Sequence, residues 1–306
     1  HGVDVWGFAQ FIETLTVYDG STPGAATILT GTNAYPWWSS LGRRGIILSA
    51  GIRVFQAQTV HRETTGRAST AAVVEATRAA ASSAAADANT VGVTAHAILP
   101  PRGTAEWSLT VFSDRQPAAA GATVPDGWSA AMTYAFDNIV VPLITVAPWV
   151  AYAAPYDSSF FLAGSQSGRM PWAQAQAHAE ASVAAVGEVA VPISRCTEAI
   201  EALRKASDRV NGGPVDLEVR PRRELPAAIR NHATPPIDWA GYFGEDACCI
   251  SYSILPPLSD RTTVRFHEEA AALLTPLGAE PHLGKMWTAA DPEDFPDAPA
   301  KFRWVA

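Results

Sequence analysis

Residues 215–220 read Val215-Asp216-Leu217-Glu218-Val219-Arg220, a strict alternation of aliphatic and ionisable side chains. Successive side chains of a strand point to opposite faces. The pattern therefore predicts a β-strand with Val215, Leu217 and Val219 on one face and Asp216, Glu218 and Arg220 together on the other. An aliphatic face needs a covering layer, and the flanking segments supply it. Upstream, residues 186–193 read as a strand, followed by a helix capped by Ser194 that lines up Ile200, Leu203 and Val210 and stops at Asn211-Gly212-Gly213. Downstream, residues 249–255 repeat the strand design, with Ile250, Tyr252 and Ile254 on one side and Ser251 and Ser253 on the other. A helix over residues 260–277, ended by Gly278, follows.

The same succession occurs earlier: a strand at 52–60, an Ala-rich helix at 69–86, and strands at 91–98 and 106–112. Two such units imply an α+β fold, an antiparallel sheet with helices packed on one face. The opening is different. Residues 11–18 (FIETLTVY), Asp19-Gly20 and residues 26–30 (ATILT) predict a hairpin with a tight turn. Residues 41–55 (LGRRGIILSAGIRVF) predict a glycine-punctuated turn running into an apolar strand, with no helix to cover a sheet face. The chain thus divides into 1–55, part of a domain, and 56–306, a sheet-and-helix domain. Residues 117–176, rich in Ala, Pro, Gly and Ser, link the two units of the second part.

The 306 residues are 48% hydrophobic and 17% charged, enough apolar material for one large core or two ordinary ones. With 22 basic and 30 acidic residues the net charge is -8, so the electrostatic footprint of a nucleic-acid or anionic-membrane partner is missing. The longest uncharged run, 139–156, has about membrane length. Pro142, Pro148 and Pro155 interrupt it, and it reads as buried loop and short helix. Cys196, Cys248 and Cys249 make a poor disulfide framework and read as core residues; no spacing of Cys or His suggests a metal. His61, His96, His178, His232 and His267 read as structural or exposed.

The polar face of residues 215–220 is either solvated or a site. If Ser251 and Ser253 face the same way on a neighbouring strand, the two strands form a floor able to hydrogen-bond a polyol. A further feature is Glu280-Pro281-His282-Leu283-Gly284-Lys285, directly after a helix stop, where a loop can bring an imidazole and an ammonium to a ligand.

Taken in order, Glu218-Val219-Arg220, the polar strand, the helix FHEEAAALLTPLG, Pro281 to Lys285 and DFPDAPAKFRWV near the end resemble the C-terminal domain of the aldonolactone and alditol oxidases, flavoproteins of the vanillyl-alcohol-oxidase type. His1-Gly2, the hairpin and Leu41-Gly42-Arg43-Arg44-Gly45-Ile46-Ile47 resemble the second half of that family's FAD-binding domain. The resemblance implies FAD as cofactor and oxidation of a carbinol of a sugar lactone or polyol by hydride transfer to the flavin. It places Glu218, Arg220, Lys285, Ser251 and Ser253 at the substrate and His1, Gly2, Gly42, Gly45, Ile46, Ile47 and His282 at the cofactor. Leu283 stands where the family has Trp, and Val3 where a small polar residue is usual. The family's N-terminal Gly-rich FAD segment has no counterpart here, so the resemblance also implies a separate or cleaved N-terminal FAD-binding polypeptide as partner. Two other readings are a non-catalytic module that binds another chain or carbohydrate, and a flavoenzyme of the same superfamily acting on a sterol or phenol.

Overall fold

In the computed structural model, which describes residues 11–20, 23–37, 45–54, 58–82, 90–99, 105, 107–117, 167–171, 187–223, 245–254 and 260–282, the strands form two separate antiparallel sheets. The first holds β1 (Ile12–Tyr18), β2 (Thr27–Thr30) and β3 (Ile46–Ile52) in the order β2-β1-β3. Leu15 and Val17 of β1 bury against Ala34 and Trp37 of the 3-10 helix Gly31–Trp37. Val17 pairs with Thr27, so residues 19–26 connect the strands and the expected tight turn at Asp19-Gly20 is corrected to a longer loop. The register follows the burial of Leu15 and Val17, which outweighs the local turn signal. Edge strand β3 leaves Ile46, Ile47 and Leu48 at 61%, 47% and 57% exposure. Gly45, just before it, has φ +129°, and a Cβ there would run into the Tyr18 carbonyl oxygen, so this position requires glycine for the fold itself.

The second sheet begins with β4 (Gln58–Ala68), then α1 (Thr70–Ser82), β5 (Thr90–Leu99), β6 (Trp107–Pro117) and β7 (Ser167–Pro171). It continues with β8 (Gly187–Pro192), α2 (Cys196–Arg209), β9 (Val215–Arg222), β10 (Ala247–Ile254), α3 (Asp260–Leu274) and β11 (Glu280–Pro281). The spatial order is β11-β8-β10-β9-β5-β6-β4-β7. The succession β-α-β-β occurs twice, as β4-α1-β5-β6 and as β8-α2-β9-β10. Their strands run in mirrored order outward from the antiparallel β5–β9 pair, which relates the two units by a local two-fold axis normal to the sheet.

Helices cover one face. Val215, Leu217 and Val219 of β9 and Ile250, Tyr252 and Ile254 of β10 join Ala199, Ile200, Leu203 and Ala206 of α2 and Phe266, Ala270 and Leu274 of α3 in one core. Val73 and Val74 of α1 and Trp107 of β6 complete it, and Trp107 Nε1 donates to Thr70 Oγ1 at 2.9 Å. Fully burying one Leu or Phe contributes about 1.5–3 kcal/mol, so this layer fixes which way β9 and β10 face. Asn211, with φ 50°, ends α2, and the Ser207 hydroxyl donates to the Gly213 carbonyl at 2.6 Å. Gly278, with φ 76°, ends the 3-10 turn Thr275–Leu277 that follows α3.

Three further expectations are corrected. A strand at 52–60 is replaced by β4, which starts at Gln58 and runs through the polar HRETTGRA; Arg62 and Thr64 face the polar side of the sheet, so hydrophobicity does not mark it. Ser194 does not cap α2: it lies in the 3-10 turn Ile193–Arg195, and Arg195 holds the cap position without a side-chain bond. Cys196 and Cys248 are not separate core thiols but a disulfide tying the start of α2 to β10, with Cα atoms 5.7 Å apart, while Cys249 stays reduced. Spacing in sequence cannot reveal a pairing that helix-on-sheet packing brings about. The stretch at 285–287, the run 139–156 and most of 117–176 lie outside the described residues; within the last, β7 is an added edge strand. Among the described residues no helix is long and apolar enough to cross a membrane.

Candidate functional site

The sheet face opposite the helices is polar, and it is buried. Because alternation puts the aliphatics of β9 and β10 into the core, Glu218, Arg220, Ser251 and Ser253 share this face at 7%, 8%, 7% and 2% exposure. A solvated outer face is thereby set aside. Pairing in register lines up one residue per strand across five strands: Ser108 of β6, His96 of β5, Glu218 of β9, Ser251 of β10 and Glu188 of β8. Neighbouring strands lie about 4.8 Å apart, so the row is about 19 Å long.

Arg220 sits one strand repeat from this row. Its Nη2 donates to Glu188 Oε2 at 3.0 Å and to Ser251 Oγ at 3.2 Å, and its Nε lies 3.6 Å from Glu218 Oε1. Ser251 Oγ donates to the same Glu188 oxygen at 3.0 Å. Across β5, Thr94 Oγ1 donates to Glu218 Oε1 at 3.1 Å, and His96 Nε2 lies 3.7 Å from that oxygen. Farther along, Thr64 and Thr110 share a hydrogen bond of 3.0 Å, and Arg62 Nε donates to Thr64 Oγ1 at 3.1 Å. Buried charges persist only when paired and hydrogen-bonded, and Arg220 is held between two carboxylates. A fixed cation flanked by carboxylates, hydroxyls and an imidazole can hydrogen-bond a hydroxylated ligand, steady a developing alkoxide and accept its proton.

Asp216 lies two residues from Glu218 on the same strand and faces Ser253 across the β9–β10 pair. Burial, reinforced by the negative charge of Glu218, pushes its carboxyl up to about 7. A raised carboxyl favours the folded state while it is protonated: that contribution is present below the unfolded value of about 3.9 and is lost as pH rises through about 7. Asp216→Asn is therefore expected to flatten the fall in melting temperature between pH 4 and 7, measured beside the parent protein. An unchanged slope would show that the Asp216 carboxyl is not held protonated. Burial also pushes the Cys249 thiol up, which keeps this residue, opposite Arg220 in register, a neutral thiol.

Of the residues singled out in the sequence, Glu218, Arg220, Ser251 and Ser253 come together. His282 is exposed, but its backbone N–H donates to the Glu188 carbonyl at 2.8 Å, which seats β11 beside the site. Gly45, Ile46 and Ile47 belong to the smaller sheet. His1, Gly2, Gly42 and Lys285 lie outside the described residues, as do Val3 and Leu283. Sequence reading passed over Glu188, Thr94, Ser108 and Thr110, and took His96 for a structural or exposed residue. The structure puts His96 on the polar face beside Glu218. Thr94 and His96 do alternate with Val93, Ala95 and Ala97, and that spacing was the available signal. His267 is a core residue against Tyr252 and Phe266. Among the described residues no group of His, Cys, Asp and Glu could hold a metal ion.

The fold and this face define an α+β protein whose ion-paired polar sheet surface lies opposite its helix layer. No family model matches the chain, and no curated protein matches its sequence. Among solved structures it is similar to a solvent-stable cholesterol oxidase, with a TM-score of 0.54, 13% identity, and 92% of this chain and 60% of that chain covered. It is likewise similar to cholesterol oxidase from Brevibacterium sterolicum, with a TM-score of 0.52, 13% identity, and 90% and 58% covered. The shared feature is the fold, and the chain spans about three fifths of the length of these structures.

Proposed function

We propose that the chain carries the substrate side of an FAD-dependent oxidoreductase that oxidises a carbinol of a sugar lactone or polyol. The observation that carries the reading is the buried set Arg220, Glu188, Glu218 and Ser251, a preformed polar surface that a multiply hydroxylated molecule can satisfy. Arg220 steadies the substrate oxygen as it loses its proton, Glu218 receives that proton or holds the adjacent hydroxyl, and Ser251 and Ser253 orient the rest. Lys285 adds a second cation. FAD, when bound, supplies the hydride acceptor. The exposed apolar Ile46 and Ile47, held in place by the backbone packing of Gly45 on Tyr18, suit the face of a planar ring system. His1, Gly2, Gly42 and His282 complete the proposed cofactor contacts.

A further polypeptide segment that covers β3 belongs to the same proposal. An edge strand with both faces exposed and rich in Ile and Leu is a surface that proteins ordinarily pair or cover. The similarity to cholesterol oxidase favours a second reading, a sterol alcohol as substrate. The charged, hydroxyl-rich character of the sheet face weighs against it, because a sterol offers that face a single hydroxyl and an otherwise apolar body.

The test is anaerobic addition of xylitol and of gulonolactone to the FAD-loaded protein. Bleaching of the oxidised-flavin absorbance is expected with one of them. Flavin retention with bleaching by cholesterol alone would favour the sterol reading. A chain that never retains flavin, even with a completing segment supplied, would leave the non-catalytic module as the better reading.

A further inference from the structure

Ser108 is a buried polar residue whose position the reading above does not use. Trp107 belongs to the helix-side core and Leu109 packs against it, so Ser108, between them, points to the polar face. It is 4% exposed, and its hydroxyl makes no hydrogen bond. A buried hydroxyl left unbonded costs about 1–3 kcal/mol, and a chain gains nothing from that cost unless something else satisfies the group. An alanine would fill the same strand position without it. Register sets Ser108 beside His96 and His96 beside Glu218, so the hydroxyl ends the row that Glu188, Ser251 and Glu218 begin.

We propose that Ser108, with His96 next to it, is a second hydroxyl-binding position of this site and selects polyhydroxylated ligands long enough to reach it from Glu218. Two strand spacings separate Ser108 from Glu218, about 10 Å. A three-carbon polyol engages only the Glu218–Arg220–Ser251 end. A six-carbon alditol or a disaccharide alditol reaches both ends, its far hydroxyl accepting from or donating to Ser108 Oγ. His96, close to Glu218 Oε1 and 3.4 Å from Thr94 Oγ1, bridges the interval. The ligand is thus specified by length and by hydroxyls at both ends.

This inference rests on the polyol reading of the site, and the experiment separates the two. The full chain is titrated with glycerol, xylitol, sorbitol and maltitol while the ligand-induced rise in melting temperature is followed, and flavin bleaching by each is measured in parallel. Affinity is expected to increase from glycerol to sorbitol. In Ser108→Ala the sorbitol-to-glycerol affinity ratio is expected to fall about 5-fold, the scale of one hydrogen bond, while the ligand-free melting temperature stays level or rises. Ser108→Thr, which keeps the hydroxyl, is expected to retain most of the preference. Should polyols bind and bleach flavin with a ratio that Ser108→Ala leaves unchanged, the inference falls and the polyol reading stands. If no polyol binds or bleaches flavin, both fall. A ligand-free protein markedly destabilised by Ser108→Ala would also overturn the inference, since the hydroxyl would then serve the fold.

Discussion

Replacing Arg220 by Met is expected to lower stability by about 3–5 kcal/mol, the scale for removing one partner of a buried ion pair. The guanidinium lies 3.0 Å from Glu188 and 3.6 Å from Glu218, and both carboxylates are buried. Without it their mutual repulsion and desolvation are no longer offset, and Met keeps the apolar stem, so the change isolates the loss of the charge. The additional substitution Glu188→Gln removes one of the stranded charges and is expected to recover part of the loss, so the double mutant should be more stable than the sum of the single effects. Urea unfolding of the four proteins measures this. Additive effects would mean that Arg220 and Glu188 are not energetically coupled. For the proposed reaction, Arg220→Lys keeps the charge but loses the forked donor geometry. It is expected to lower kcat/KM by about 10² or more, the scale of a lost preorganised contact, with a much smaller stability change than Met. Equal kcat/KM for Arg220→Lys and the parent would remove Arg220 from the proposed chemistry.

The second large effect concerns the bridge between Cys196 and Cys248, which are 52 positions apart. Closing a loop of that length restricts the unfolded chain by about 4 kcal/mol, which corresponds to a melting-temperature difference on the order of 10 °C for a protein of this size class. Both sulfurs belong to fully buried residues, so reductant reaches them only as the structure opens. Protein denatured without reductant is expected to show one titratable thiol, that of Cys249, and prior reduction under denaturing conditions is expected to lower the melting temperature on refolding. Three thiols in the unreduced denatured protein would show that the pair acts only as packing.

The two strands that carry most of the site were legible from their alternation alone. In residues 215–220 and 249–255 every second side chain is large and apolar, and burying those under helices leaves no freedom in where Glu218, Arg220, Ser251 and Ser253 point. The helix stops at Asn211-Gly212-Gly213 and Gly278 were legible for a similar reason, because left-handed backbone is chemically selective. Glu188, His96 and Ser108 were not. What gives His96 and Ser108 meaning is the pairing of β9 with β5, more than a hundred residues away in sequence, and what gives Glu188 meaning is the pairing of β8 with β10. Local pattern says which face a residue takes but not which strand lies beside it. The disulfide was hidden for the same reason, since α2 and β10 meet only through tertiary packing.

The mirrored β-α-β-β units have a consequence for how such a protein can change. One unit with its added strand β11 lies on one side of the axis through the β5–β9 pair, and the other unit with its added strand β7 lies on the opposite side. The guanidinium, its two carboxylates and Ser251 stand on one side of that axis, whereas Thr94, His96, Ser108 and the threonine pair stand on the other. A repeated architecture has thus become chemically lopsided, with a cation held between two carboxylates in one copy and hydroxyls, an imidazole and Arg62 in the other. Mutation in the first copy away from Thr94 and His96, which touch Glu218, can retune what is recognised while the ionic cluster in the second is left undisturbed.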